Sequence, residues 1–164
     1  MSVWAVLALL GLTAGLLVES AVPDPPTSGI TTVGSLKLAT AEDCAGVVAF
    51  SANKATNTDA RLVFAETTMN KGVGYIAETG IFTTHCPGLY QFSFAGYGSD
   101  NLRISLKRKL NKSETWTTLV GAGPGGGSNL ILINADGGDQ FVVYVDAGKV
   151  TEGTTFSGYR FAKK

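Results

Sequence analysis

Two adjacent residues, His85 and Cys86, have the side-chain types that a thiol nucleophile and its general base require. His85 is the only histidine of the chain, and Cys86 is one of two cysteines. The surrounding stretch, FTTHCPGLYQFSF, has the pattern of a strand end, a Pro-Gly corner and a second strand. We therefore interpret Cys86 as a half-cystine and His85 as an exposed loop residue, and we predict that the chain is not an enzyme.

The two cysteines, Cys44 and Cys86, are the candidate partners of one disulfide. In an oxidising compartment an isolated pair usually bonds to itself. Closing so long a loop would stabilise the fold by roughly 2–4 kcal/mol. An intermolecular bridge is the alternative, because a sequence does not show the geometry that a disulfide requires.

The N-terminal sequence indicates secretion. Residues 1–20, MSVWAVLALLGLTAGLLVES, are nearly all apolar and are predicted to be a signal peptide that is cleaved after Ser20. A membrane anchor is the alternative, but the apolar run is short for a span and no positive flank follows it. Residues 21–43 contain three early prolines and no strong period, which predicts a flexible spacer. We expect a secreted, extracellular protein with no membrane span after cleavage.

The charge balance gives no reason to expect nucleic acid as a partner. The chain has 13 basic and 13 acidic residues, and losing Glu19 with the signal peptide would leave 12 acidic ones. Bulk charge therefore does not steer the protein to nucleic acid or to anionic membranes.

From residue 44 onward the chain is predicted to form one all-β domain, residues 44–164. Short apolar or alternating runs are separated by Gly, Asn and Asp, and no window of a dozen residues has a helical period. Such spacing is typical of a sandwich, a barrel or a jelly roll. The predicted strands cover residues 47–52, 60–65, 80–85, 89–97, 101–110, 115–122, 129–134, 140–147 and 156–162.

Alternation along these strands predicts which faces are buried. In residues 101–110, Leu102, Ile104 and Leu106 share the core face. Residues 129–134 and 140–145 are instead apolar on both faces. An antiparallel strand of that kind needs a cover on its outer side, which we expect another subunit to supply.

One segment is densely basic. Arg103, Lys107 and Lys109 fall on a common outward face of their strand. A row of cations of this kind could bind a sulfated or carboxylated polymer or an anionic microbial surface. The alternative is protection of an edge strand against aggregation. Beside the row, Asn111 begins an Asn-Lys-Ser sequon in a predicted hairpin loop, so it is a candidate glycosylation site.

Two further segments contain residue types that are found in ligand sites. The glycine-rich residues 121–129 lack the lysine and the following helix of a phosphate-binding loop, and we interpret them as a flexible loop. Asp136 and Asp139 lie in one short turn and could bind a hard cation, although two carboxylates in a turn more often serve the turn itself. No metal site or other cofactor is predicted.

The spacing of the aromatic residues resembles the signature of the globular C1q domain, the head of complement C1q and its secreted relatives. Phe64 is followed after five residues by Asn70, then after four by Tyr75 and after six by Phe82. Gly88 and three alternating aromatic residues complete the pattern, and the resemblance covers about residues 44–164. It implies an aromatic core of Phe64, Tyr75, Phe82, Tyr90, Phe92 and Phe94.

Membership of this family implies a ten-stranded antiparallel jelly-roll sandwich, related to tumour necrosis factor, that assembles as a homotrimer. In calcium-binding members an acidic side chain comes from the connection that corresponds to residues 121–129, which contain no carboxylate here. The family's calcium site is therefore in doubt for this chain.

The resemblance implies a non-catalytic recognition function in innate immunity, without a collagen stalk and with carbohydrate or other anionic surfaces as ligands. Three weak sites presented together would then bind by avidity. Two alternatives stay open. One is a trimeric cytokine-like signalling ligand, and the other is a structural or venom-type secretory component.

Overall fold

The structure is a computed structural model that describes residues 31–33, 36–38, 44–58 and 60–164. The predicted signal peptide, residues 1–20, lies outside the described residues, as does most of the predicted spacer, residues 21–43. Within that spacer, strands β1 (Thr31–Val33) and β2 (Leu36–Leu38) pair antiparallel. No period in the sequence predicted this pairing.

Ten further strands form one antiparallel sheet, and the predicted all-β, ten-stranded jelly roll is confirmed. Their bounds are β3 Ala49–Thr58, β4 Arg61–Lys71, β5 Tyr75–Ile76, β6 Ile81–Thr83, β7 Gly88–Gly96, β8 Arg103–Lys109, β9 Thr117–Ala122, β10 Gly127–Ala135, β11 Gln140–Ala147 and β12 Thr155–Lys163. Each predicted strand corresponds to one of these, and only the two-residue β5 was missed. Most of the glycine-rich segment belongs to β9 and β10, which leaves residues 123–126 between strands.

The sheet folds into two layers that β4 connects. The first layer has the order β10-β7-β12-β3-β4, and the second contains β11 between β6 and β8, with β9 beyond β8. Strand β4 pairs with β3 along its length and meets β11 only at its start, where Arg61 lies opposite Tyr144. Phe92 of β7 and Phe141 of β11 are not on neighbouring strands, yet their ring centroids are 4.3 Å apart. The core therefore lies between the layers.

The six aromatic residues of the signature are all buried in this core. Phe50 stacks on Tyr75 with a centroid distance of 4.3 Å, and Phe82 contacts both Tyr90 and Phe92. Gly158 of β12 makes the packing possible, because a Cβ there would lie 2.5 Å from the Phe92 ring. Large rings of this kind bury more apolar area than any other side chains and dominate the energetics of the core.

A disulfide closes one end of the sandwich. Cys44 and Cys86 are bonded to each other, with Cα atoms 5.4 Å apart and a sequence separation of 42 residues. The chain-entropy model gives such a loop about 4 kcal/mol of stabilisation. Near the bond, the Arg160 guanidinium donates hydrogen bonds to the Cys44 and Gly46 carbonyl oxygens, at 2.5 and 3.0 Å. Because both sulfurs are bonded, Cys86 is not a nucleophile.

His85 lies beside the disulfide and is half-buried, so the prediction of an exposed loop residue is wrong. Strand β6 ends before His85, at Thr83. The backbone carbonyl oxygen of His85 lies 3.9 Å from the sulfur of Cys44. Burial lowers the pKa of His85 because the charged imidazolium loses its hydration. His85 therefore has a packing role at the closed end of the fold.

The two strands predicted to be apolar on both faces differ in how their outer faces are covered. Leu130 and Leu132 of β10 are 53 % and 59 % exposed. Val142 of β11 is fully buried although it is not part of the core cluster. For Val142, the expectation of a cover from another subunit is wrong, because side chains of the same chain bury it. Of these two strands, only β10 has an outer apolar face that is exposed.

Candidate functional site

The basic residues lie on a central strand of the second layer. Arg103, Lys107 and Lys109 all belong to β8, which pairs with β11 on one side and with β9 on the other. Edge protection therefore does not explain them, because β8 is not an edge strand. We call their side of the second layer the cation face.

Lys107 is held across the cation face by two partners from β11. Its Nζ lies 2.9 Å from Asp146 Oδ1 and 4.6 Å from the centroid of the Tyr144 ring. Tyr144 lies opposite Ser105 in the sheet register, whereas Lys107 lies opposite Val142. The end of the lysine side chain therefore lies over the Tyr144 ring, where it reaches Asp146.

Trp116 completes the cation face. It lies just before β9, and its ring centroid is 6.0 Å from that of Tyr144 at an interplanar angle of 53°. Lys109 Nζ lies 5.4 Å from the centroid of the Trp116 ring. The face thus has two tilted aromatic rings with a lysine on each. We define Lys107, Lys109, Trp116 and Tyr144 as the aromatic–lysine cluster.

Sequence reasoning identified the lysines of this cluster and missed its aromatic residues. Trp116 and Tyr144 are 28 positions apart, and each was interpreted only as part of a strand. Their proximity depends on the order β11-β8-β9, which the sequence does not display. The available signal was that Tyr144 alternates with core residues of its own strand, which places it on an outer face.

The turn that contains Asp136 and Asp139 is a hydrogen-bonded structural element. Asp139 is 2 % exposed, and its carboxylate accepts hydrogen bonds from the backbone N–H groups of Asn111 and Asp136, both at 3.0 Å. The Arg108 guanidinium forms an ion pair with the same carboxylate. The Asp136 carboxylate instead pairs with Lys164 Nζ at 2.5 Å. Within the described residues no group of three or more histidine, cysteine or acidic side chains is placed to hold a metal.

These contacts set the protonation of Asp139. Burial alone would raise its pKa, but hydrogen bonds from the Asp136 N–H, the Arg108 guanidinium and the Asn111 N–H stabilise the ionised form. The net result is a pKa below the ordinary value of 3.8. Asp139 therefore stays ionised and joins the loop of residues 110–113 to the turn of residues 136–139.

Asn111 lies on that loop and its side chain is exposed. The Ser113 N–H donates to the Leu110 carbonyl at 3.0 Å, which closes the turn. The backbone of Asn111 is fixed by Asp139, and its amide side chain makes no hydrogen bond within the described part of the chain. The acceptor position of the sequon is therefore accessible at the end of β8.

The outer face of the first layer carries almost no charge. One row across its five strands consists of Leu130, Ser93, Ser157, Ser51 and Met69. The next row consists of Leu132, Gln91, Tyr159, Ala49 and Lys71. Lys71 is the only charged residue among these ten, and it lies on β4, at one end of its row. We call these two rows the neutral face, and it lies on the opposite side of the sandwich from the cation face.

The two-layer antiparallel sheet with its aromatic core defines a jelly-roll sandwich. The profile of the C1q domain matches residues 47–160. The chain therefore belongs to the C1q domain family. Proteins of this family are usually secreted and generally non-enzymatic, and C1q-like and tumour necrosis factor-like domains typically form trimers.

Solved structures show the same fold at low sequence identity. The globular domain of zebrafish complement 1qA protein is 20 % identical, with a TM-score of 0.57 over 71 % of this chain and 99 % of that one. Murine APRIL is 13 % identical, with a TM-score of 0.57 over 71 % and 100 % of the two chains. Eiger TNF from S. frugiperda is 14 % identical, with a TM-score of 0.55 over 72 % and 94 %. No curated protein matches the chain significantly.

Within the described residues, none of the secondary structure is a helix that could cross a membrane.

Proposed function

We propose that the chain is a secreted, non-catalytic homotrimer that recognises carbohydrate or anionic microbial surfaces in innate immunity. Secretion is supported by the apolar residues 1–20 and by the Cys44–Cys86 disulfide, since such bonds persist in oxidising compartments. We do not propose calcium binding at the turn of residues 136–139, because the Asp139 carboxylate already accepts hydrogen bonds from protein groups.

Assembly is supported by the neutral face. Leu130 and Leu132 are more than half exposed, and Tyr159 and Met69 extend the same apolar surface across the layer. Exposed apolar surface of this extent on a soluble domain marks an interaction site. A closed symmetric assembly would bury the same face on every subunit.

The location of the cation face supports the proposed recognition of anionic surfaces. Lys107 and Lys109 project from a strand that is paired on both sides, so they have no role in protecting an edge. Their face points away from the neutral face, so it stays accessible when the neutral face is buried. A trimer would then present three copies of the same basic site, and their combined binding would exceed that of one copy.

Replacing Lys107 and Lys109 together by glutamine should weaken binding to a dextran sulfate surface about tenfold or more, because each trimer loses six cations that act together. Surface plasmon resonance at several salt concentrations measures the change. The matched control replaces Lys149 and Lys163, which are exposed and belong to other parts of the fold. Equal binding by the two variants would contradict the proposed function of the cation face.

A second candidate function is a signalling ligand. The matches to APRIL and to Eiger TNF support this possibility, because the same jelly roll occurs in proteins of the tumour necrosis factor class. Such a ligand would bind a receptor between subunits. Saturable, high-affinity binding to a single host cell type, unaffected by the lysine replacements, would favour it over recognition of anionic surfaces.

We also propose that Asn111 carries an N-linked glycan. Its side chain is exposed on a hydrogen-bonded turn, so an oligosaccharide could be attached without disturbing the fold. Replacing Ser113 with alanine should remove the glycan mass from the secreted protein, whereas Ser113→Thr keeps the sequon and should retain it. Identical masses for these two variants, apart from the substituted side chain, would show that the site is unoccupied.

A further inference from the structure

We propose that the aromatic–lysine cluster is a binding site for one acidic pyranose unit, a uronate or a sulfated sugar. The Trp116 and Tyr144 rings would contact the apolar face of the sugar, and Lys107 and Lys109 would bind its carboxylate or sulfate. The inference rests on the proposed function, which assigns anionic carbohydrate to the cation face, and it identifies the residues and the chemistry that would select the ligand.

The two rings form an open pair. Their centroids are 6.0 Å apart and their planes are tilted by 53°. Each side chain is half-buried, so the sheet holds the rings while part of each stays in contact with solvent. Aromatic residues with an apolar body that is fixed by the protein are well suited to binding, because little side-chain entropy is lost when the ligand arrives.

Each lysine lies over one ring of this pair, so a sugar that contacts the ring also meets the ammonium group. Lys107 Nζ lies 4.6 Å from the Tyr144 ring centroid, and Lys109 Nζ lies 5.4 Å from that of Trp116. The Asp146 partner of Lys107 has a side chain that is 38 % exposed. The Lys107 side chain is only 20 % exposed, so the pair is partly buried, and a ligand anion must replace Asp146 as the partner of Lys107.

Ser105 provides an independent observation at the same place. Its side chain is on the cation face, opposite Tyr144 on one side and Gly121 on the other. It is 2 % exposed, and its hydroxyl has no hydrogen-bond partner. Buried hydroxyl groups without a partner are uncommon. Because Ser105 lies directly opposite Tyr144 on the cation face, a sugar oxygen bound beside the Tyr144 ring would supply the missing partner of this hydroxyl.

The position of Asp146 favours a sugar as the ligand of this cluster. Single-stranded nucleic acid is the alternative, because it also binds to aromatic rings and cations. A nucleic-acid surface needs a continuous basic groove along the backbone. Here a carboxylate lies beside the lysines, and it would repel successive phosphates. The same carboxylate can accept hydrogen bonds from sugar hydroxyl groups, which are abundant on a pyranose.

The test uses fluorescence. The chain has two tryptophans, Trp4 and Trp116, and Trp4 belongs to the predicted signal peptide, so in the secreted protein the only indole is in the cluster. Titration with a chondroitin sulfate tetrasaccharide should change its emission saturably. Polyphosphate of equal charge and a thymidine oligonucleotide should bind at least about tenfold more weakly, because they do not supply both the sugar face and its hydroxyl groups.

Variants separate the rings from the charges. Trp116→Ala should weaken tetrasaccharide binding, measured by calorimetry, by about tenfold or more, and Trp116→Phe by no more than about threefold, because the second change keeps an aromatic face. Lys109→Gln should also weaken binding, and the Lys149→Gln control should not. Thermal unfolding of each variant identifies any loss that comes from misfolding, and Trp116→Phe keeps the test valid if the alanine variant is unstable.

Three outcomes overturn the inference in distinguishable ways. Binding of the tetrasaccharide that is insensitive to Trp116→Ala, or matched by polyphosphate, would leave the anionic-surface function in place and exclude the aromatic–lysine cluster as a sugar site. Preferred binding of the oligonucleotide would replace sugar by nucleic acid as the ligand. Absence of binding to the tetrasaccharide and to dextran sulfate alike would overturn the proposed function together with the inference.

Discussion

Replacing Leu130 and Leu132 with aspartate should convert the proposed secreted trimer into a folded monomer. Both side chains are more than half exposed on the outer face of β10, so the fold of one subunit does not need them. An interface built on the neutral face would bury two adjacent carboxylates per subunit. The free-energy cost of removing these charges from water exceeds the gain from the apolar contacts of the interface. Binding to a dextran sulfate surface should fall about 100-fold or more, because the avidity of three sites is lost.

Sedimentation equilibrium measures the mass, and circular dichroism verifies the fold. The matched control replaces Leu110 and Ile76 with aspartate, since these residues are similarly exposed but lie away from the neutral face. The control should stay trimeric. A trimer formed by the Leu130–Leu132 variant, or a monomer formed by the unmodified protein, would contradict assembly through the neutral face.

Asp139→Asn should produce the largest loss of stability among single substitutions at charged residues. The change leaves the Arg108 guanidinium buried against a neutral group, and it replaces one carboxylate oxygen by an NH2 donor, so either the Asn111 N–H or the Asp136 N–H loses its acceptor. Breaking a buried ion pair in this way typically costs about 3–5 kcal/mol. Urea unfolding measures the difference. Asp136→Asn is the control, because its partner Lys164 is exposed and little stability should be lost.

The same substitution should change how stability depends on pH. The pKa of Asp139 is below 3.8 in the folded protein, so its contribution is fully present above that value. The contribution is lost as the pH falls through the lower, folded-state pKa, because the carboxylate must then be protonated. The stability difference between the unmodified protein and Asp139→Asn should therefore shrink in strong acid. A difference that stays constant with pH would show that Asp139 acts only through packing.

The strands and the core were predictable because their signals are local. Tyr90, Phe92 and Phe94 alternate with polar residues, which places them on one face of one strand, and the structure buries all three. The same alternation predicted apolar residues on both faces of residues 129–134, and the structure has Leu130 and Leu132 on the exposed face. Signals of this kind need no knowledge of which strand is the neighbour.

The contacts across the cation face were not predictable, because they depend on strand order and register. Lys107 meets Asp146 and Tyr144 only because β8 lies beside β11 in one register. The same dependence explains the error at Val142. Its burial follows from side chains that the sheet brings over it, whereas the sequence shows only that its face is apolar. The ion pair of Arg108 with Asp139 has the same origin, since the two residues are 31 positions apart in the sequence.

The disulfide also determines how the domain responds to tension. The chain enters the sandwich at Cys44, which is bonded to Cys86 just before β7 and is held by Arg160 of β12. A pulling force transmitted through the N-terminal segment therefore reaches β7 through a covalent bond. It does not peel β3 away from its neighbours one hydrogen bond at a time. Reduction of this one bond would change the route of the force and make β3 the first strand to yield.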